Sequence, residues 1–146
     1  MNRNLKSVGM LMGMMLAAGL AARAQQASSA RVTIEYYYKL KPWTAKEWLA
    51  LYKKNHNPIL REHMKSGLLL SEKLYERRFH AAAPAWDYKI TMEWRDWAAL
   101  DQARHREAEI IRELYPNTAE HEQLEKRRWE ITEAHWDDVL NEVPLE

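Results

Sequence analysis

The chain has no cysteine. That excludes disulfides, thiol nucleophiles, thiolate zinc sites, covalent c-type haem and a lipid-anchored lipoprotein, so stability has to come from packing. Glycine is nearly as scarce: there are four in 146 residues, and Gly9, Gly13 and Gly19 all lie before residue 25. A glycine-rich phosphate loop is therefore missing, and with it nucleotide binding of the usual loop kind. No block of basic charge is present either. The 22 Lys and Arg are interspersed with 21 Asp and Glu, which removes the electrostatic footing of a nucleic-acid partner. Ser71 sits in an alternating segment with no nucleophile elbow around it, so a serine hydrolase has no support. Phenylalanine occurs once, whereas Trp and Tyr each occur seven times. Those rings supply the bulk of a core, and their hydroxyl and indole N–H groups need partners wherever they are buried.

The only long apolar run is at the amino terminus and is too short to span a bilayer. Val8 to Leu20 gives 13 residues without a charge, against roughly 20 for a spanning helix. Arg3 and Lys6 precede the run, and Ala22-Arg23-Ala24 supplies a small-x-small site before Gln25. This is the pattern of a secretory signal peptide over residues 1–24, cut after Ala24. The expected product is a periplasmic or secreted protein with no membrane segment after cleavage. Of the 22 basic residues, Arg3, Lys6 and Arg23 precede the cut, which leaves 19 against 21 acidic ones in a mature chain of 122 residues. That length suits one domain with a single core, residues 31–146. Residues 25–30 read as a disordered polar leader.

From Arg31 the period is two. Val32, Ile34, Tyr36, Tyr38 and Leu40 alternate with Thr33, Glu35, Tyr37 and Lys39, the pattern of a half-buried strand. Lys41-Pro42 ends it, and Thr44-Ala45-Lys46-Glu47 has the form of a capping box. The helix that follows carries Trp48, Leu49, Tyr52, Ile59, Leu60 and Met64 in one stripe, with His56 and His63 in the same stripe. Pro58 lacks an N–H and clashes with the carbonyl four residues back, so Asn55-His56-Asn57-Pro58 is expected to kink or break the helix. Asn57 and Pro58 would cap a second piece, and Gly67 would stop it. Leu68 to His80 and Trp86 to Trp94 alternate again and should pair as a hairpin across Ala81–Ala85. Asp96 is positioned to cap a helix that Pro116 stops, and Asn117 to cap the next one. That last segment reads as helix to about Val143. The competing reading makes Arg128–Thr132 a fourth strand.

The order strand, helix, strand, strand, helix, final element is that of a ferredoxin-like α+β domain, an antiparallel sheet packed on helices. Over about residues 31–101, "YYYKLKPWTAKEWLALYKK" and "DYKITMEWRDWAALD" resemble the dimeric α+β barrel superfamily, which includes NIPSNAP-like and antibiotic-biosynthesis-monooxygenase-like proteins. The resemblance implies a homodimer packed sheet against sheet, with a small-molecule cavity in each subunit. It carries over no catalytic residue set. The polar sheet face bearing Glu35, Tyr37, Lys39, Asp87, Lys89, Thr91 and Glu93 is either wet or covered by a second protomer.

Four residues are candidates for a site. Arg78 and His80 would share a strand face beside the link, where a guanidinium and an imidazole could meet an anionic or carbonyl ligand; the alternative is a strand edge defended by charge. His56 lies at the expected break, and Tyr37 lies on the polar sheet face. Ligand binding is assigned to Arg78, His80, His56 and Tyr37, with His80 or His56 as candidate general base. His56 and His63, two helical turns apart and about 10.5 Å along the axis, are too distant to share one ion and read as hydrogen-bonded core histidines. His105/Glu109 and His121/Glu125, each spaced i and i+4, read as solvated ion-paired helix faces. Trp129, His135 and Trp136 read as the docking face of a terminal helix. No metal or cofactor is implied. Three functions fit: a homodimeric module binding a small organic ligand, a cofactor-independent monooxygenase or isomerase acting on a small aromatic substrate, or a structural periplasmic protein.

Overall fold

The computed structural model describes residues 30–79, 83–143 and 145. The leader assigned to residues 1–24, the polar stretch after it to residue 29, and His80 lie outside the described residues. The alternation at Arg31 produces strand β1, Val32–Leu40. Helix α1, Ala45–Leu51, runs without interruption through a π-helical turn, Tyr52–His56, into α2, Asn57–Lys65. Gly67, at φ +70°, takes the left-handed conformation that ends the helix. Strands β2 (Leu69–Glu76) and β3 (Tyr88–Trp94) form the expected hairpin. Helix α3 covers Trp97–Leu114, α4 covers Thr118–Glu130, and β4 covers Thr132–Leu140.

The four strands make one antiparallel sheet in the order β2-β3-β1-β4, with the helices on one face. This is a ferredoxin-like α+β fold. Register follows from the two-residue pattern: Tyr36 pairs Ile90 and Tyr38 pairs Tyr88, so the apolar members of β1 and β3 share a face. Trp48 and Ile90 are wholly buried at the centre of that face, with Val32, Leu60, Leu69 and Leu100 around them. Each such side chain stabilises by about 1.5–3 kcal/mol.

Two helix starts behave as expected: Asp96 accepts from the Ala99 N–H at 2.6 Å, and Asn117 accepts from the Glu120 N–H at 3.1 Å. Two expectations fail. Thr44 does not form a capping box, because its hydroxyl donates to the Lys41 carbonyl at 2.8 Å while Glu47 is drawn across to Arg127 at 2.7 and 3.1 Å. The irregularity expected at Asn55–Pro58 takes the form of the π-helical turn rather than a gap in the helix, and α2 begins at Asn57 with Pro58 in its first turn. The terminal segment is helical only to Glu130. A fourth strand follows, displaced from the 128–132 window to Thr132–Leu140 and held along β1. Among the described residues no helix is long and apolar enough to cross a membrane.

Candidate functional site

The π-helical turn and the α4 face opposite it build the site. Pro58 has no N–H to offer the Lys54 carbonyl four residues back. The Tyr115 hydroxyl donates there instead, to the Lys54 carbonyl at 3.2 Å and the Asn55 carbonyl at 2.8 Å. The turn holds Asn55, 1 % exposed, against α4. Its side-chain N–H groups donate to the His121 carbonyl at 3.1 Å and to Glu125 Oε1 at 2.9 Å. Arg128 Nη2 donates to Glu125 Oε2 at 2.6 Å. The Arg128 guanidinium is enclosed by the Trp48, Tyr52 and Trp129 rings at 5.7, 5.9 and 5.0 Å. His56 Nδ1 stands 4.0 Å from Glu125 Oε2.

His56 lines two openings. One, about 210 Å³, lies between the sheet and the helices, with Tyr36, Tyr38, Met92 and Trp94 on the sheet side and His56, Ile59 and His63 on the helix side. The other, about 640 Å³, is a groove flanked by α3 and α4 and lined by His121, Glu125, Arg128 and Trp129 among others. His56, Ile59 and Glu107 line both. The His56 ring keeps 25 % of its surface open, while protein surrounds the rest.

This setting drives the ionisable groups toward particular forms. Burial, reinforced by the Arg128 charge, lowers His56 to about 4 against the partial opposition of Glu125. The imidazole is therefore uncharged at neutral pH and able to accept a proton or a hydrogen bond. Glu107 is raised, first by burial and then by the Glu125 charge. Burial would raise Glu125 too, but the Arg128 hydrogen bond and charge, with help from Asn55, outweigh it and hold the carboxyl low. Burial raises Tyr38 as well, against the pull of Arg128. Two groups displaced in opposite directions thus face the same cavity, the usual precondition for acid–base work.

Among the described residues four buried side-chain polar atoms have no hydrogen-bond partner: His63 Nδ1, Trp94 Nε1, His121 Nε2 and Arg128 Nη1. All four belong to residues lining these two openings. Buried polar atoms are otherwise almost always paired. No three His, Asp or Glu side chains gather as a metal site among the described residues.

Of the candidates read from the sequence that fall among the described residues, His56 is in the cavity, whereas Tyr37 and Arg78 are not. Tyr37 lies on the opposite sheet face, stacked 5.2 Å from Trp136 and edge-on at 5.9 Å to Trp86. Its hydroxyl donates to Glu35, and that bond, with lesser contributions from burial and charge, pushes it up to about 12. Arg78 is not on a strand face, because β2 ends at Glu76. It is exposed, with its guanidinium 5.6 Å over Phe79. Arg77 makes the structural contacts at that end, lying 4.3 Å over Trp86 and donating to the Pro84 carbonyl at 3.3 Å. The Arg78 corner borders a separate dent of about 360 Å³, so Arg78, Tyr37 and His56 do not converge.

His121 and Glu125 are not a solvated pair: His121 is 5 % exposed and Glu125 is bound into the cluster. His63 is buried, but its Nδ1 lacks the hydrogen bond expected of a core histidine. His105 is exposed and its Nδ1–H donates to the Asp101 carbonyl at 2.7 Å. His135 and Trp136 sit on β4 rather than on a helix, His135 stacked 4.4 Å from Tyr38. Asn55, Glu107 and Arg128 escaped the sequence reading as site residues, and that reading makes Glu125 only half of a solvated pair. The available signal was the spacing of 121, 125 and 128, which places one histidine, one carboxylate and one guanidinium along a single helix face.

No family model matches the chain, and no curated protein matches it in sequence. Solved structures match in fold. A dimeric ferredoxin-like protein from an uncultured marine organism aligns with TM-score 0.53 at 9 % identity, over 81 % of this chain and 94 % of that one. An uncharacterized NIPSNAP-like domain protein from Burkholderia xenovorans gives TM-score 0.52 at 13 %, over 81 % and 90 %. A conserved protein from Methanosarcina mazei Go1 gives 0.51 at 16 %, over 82 % and 99 %. The chain shares the ferredoxin-like fold of these proteins, NIPSNAP-like domains among them.

Proposed function

We propose that the protein is an exported homodimer that binds a small organic molecule in the cavity beneath its sheet, with His56 as the polar group that meets the ligand. One observation carries the reading: every unpartnered buried polar side-chain atom among the described residues belongs to a residue that lines one of the two openings sharing His56. Pockets of this kind are mostly apolar, with a few placed polar groups. Pairing of subunits is supported by the uncovered sheet face, where Tyr37, Trp136, Trp86 and Lys89 make a patch of stacked rings and charge, and by the dimeric structure sharing the fold. Export is supported by the basic, apolar and Ala-x-Ala sequence at the amino terminus.

Native mass spectrometry of protein purified from a periplasmic fraction tests all three at once. The expected species is a dimer of the chain shortened to Gln25, carrying bound small-molecule mass that His56→Gln weakens. An empty monomer would favour a purely structural role.

Acid–base catalysis on a small aromatic substrate is the second reading. It is favoured by a His56 lowered by burial and a Glu107 raised by burial on the walls of one cavity. Retained binding with lost turnover of the copurified compound in His56→Gln would separate it from simple binding.

A further inference from the structure

Arg128 is 2 % exposed, the most deeply buried Lys or Arg among the described residues. Glu125 takes its Nη2 at 2.6 Å and its Nε at 3.4 Å, while Nη1 has no partner. A guanidinium nitrogen left unpaired in a low-dielectric wall is costly, and an anionic oxygen relieves it better than a neutral one. The groove that Arg128 lines is also lined by Trp129, whose ring lies 5.0 Å from the guanidinium and is 46 % exposed. Nη1 is closed to solvent, so an acceptor that reaches it would have to displace a neighbouring side chain such as this ring. His121 Nε2, also unpartnered, belongs to the same wall.

The rest of the lining suits an apolar body. Tyr36, Tyr38, Met92 and Trp94 form the sheet-side wall of the smaller opening. Of the three arginines that line the two openings, Arg104, Arg112 and Arg128, only Arg128 is buried.

Resting on the ligand-site reading above, we propose that the ligand is a small carboxylate on an apolar or aromatic body, its carboxylate accepting from Arg128 Nη1. The test titrates ¹⁵N-labelled protein with benzoate, its uncharged isostere benzamide, and phenol, following the Trp94 and Trp129 indole N–H signals. Benzoate is expected to shift both signals and to bind about ten-fold or more tightly than benzamide. Arg128→Lys, which keeps a charge but loses the forked donor, should erase that preference. If this buried substitution prevents folding, the benzoate-to-benzamide ratio in the unaltered protein decides. Benzamide or phenol shifting the same signals at equal affinity would overturn the carboxylate while leaving the ligand site standing. If none of the three moves either indole, the ligand site falls too.

Discussion

Replacing Tyr115 with phenylalanine removes one hydroxyl and little else, since the ring can keep its 4.4 Å packing on His121. The lost proton is shared between the Asn55 carbonyl at 2.8 Å and the Lys54 carbonyl at 3.2 Å, in the turn that carries His56. A hydrogen bond of this kind contributes about 1 kcal/mol net, and stranding a half-buried carbonyl adds about another 1 kcal/mol. For a domain of this size the expected fall in Tm is about 5–10 °C. The informative measurement is a double-mutant cycle with Pro58→Ala, by urea unfolding monitored through tryptophan fluorescence. Alanine at position 58 restores an N–H within reach of the Lys54 carbonyl, so Tyr115→Phe should cost about 1 kcal/mol less in that background. Equal costs in the two backgrounds would refute the claim that Tyr115 compensates for the proline. A cost below about 0.5 kcal/mol in the unaltered protein would refute the claim that the carbonyls need it at all.

His56 should also be visible in the pH dependence of stability. Its folded value of about 4 lies below the ordinary 6.5, so the unfolded chain binds more protons between those limits. Its contribution is then present above about pH 6.5 and lost as pH falls toward 4, by up to about 3 kcal/mol. Glu107 and Glu72, both raised by burial, act in the opposite sense. The unfolding free energies of the unaltered protein and His56→Gln should therefore be subtracted, and a difference that does not vary with pH across this window would contradict the assigned setting. Asp96→Ala should cost about 1 kcal/mol through loss of the α3 cap, read as a lower urea midpoint with an unchanged slope.

What the sequence made legible was local. The alternation of β1 and β3, the hairpin, the Asp96 and Asn117 caps and Gly67 all depend on neighbours in the chain. β4 was missed because Thr132–Leu140 carries Glu133, Asp137 and Asp138 and offers little apolar alternation. Pairing with β1, about a hundred residues earlier, makes it a strand. The capping box failed for the same reason: Glu47 finds Arg127 80 residues away rather than its own helix end. The site followed suit. His56 could be suspected from the proline beside it, whereas Asn55, Glu125 and Arg128 acquire their roles only when α4 is laid against the π-helical turn.

The π-helical turn also constrains how the chain can vary in length. It accommodates one residue more than an α-helix of the same rise would, so Trp48 before it and Ile59 after it both point into the core. Deleting a single residue between Tyr52 and His56 would restore regular hydrogen bonding and leave the two halves of the helix in phase, so Trp48 and Ile59 would keep their seats. What would be lost is the widened turn itself, and with it the placement of Asn55 against α4 and of His56 beside Glu125. The same deletion in the regular part of the helix would turn a buried stripe by about 100°.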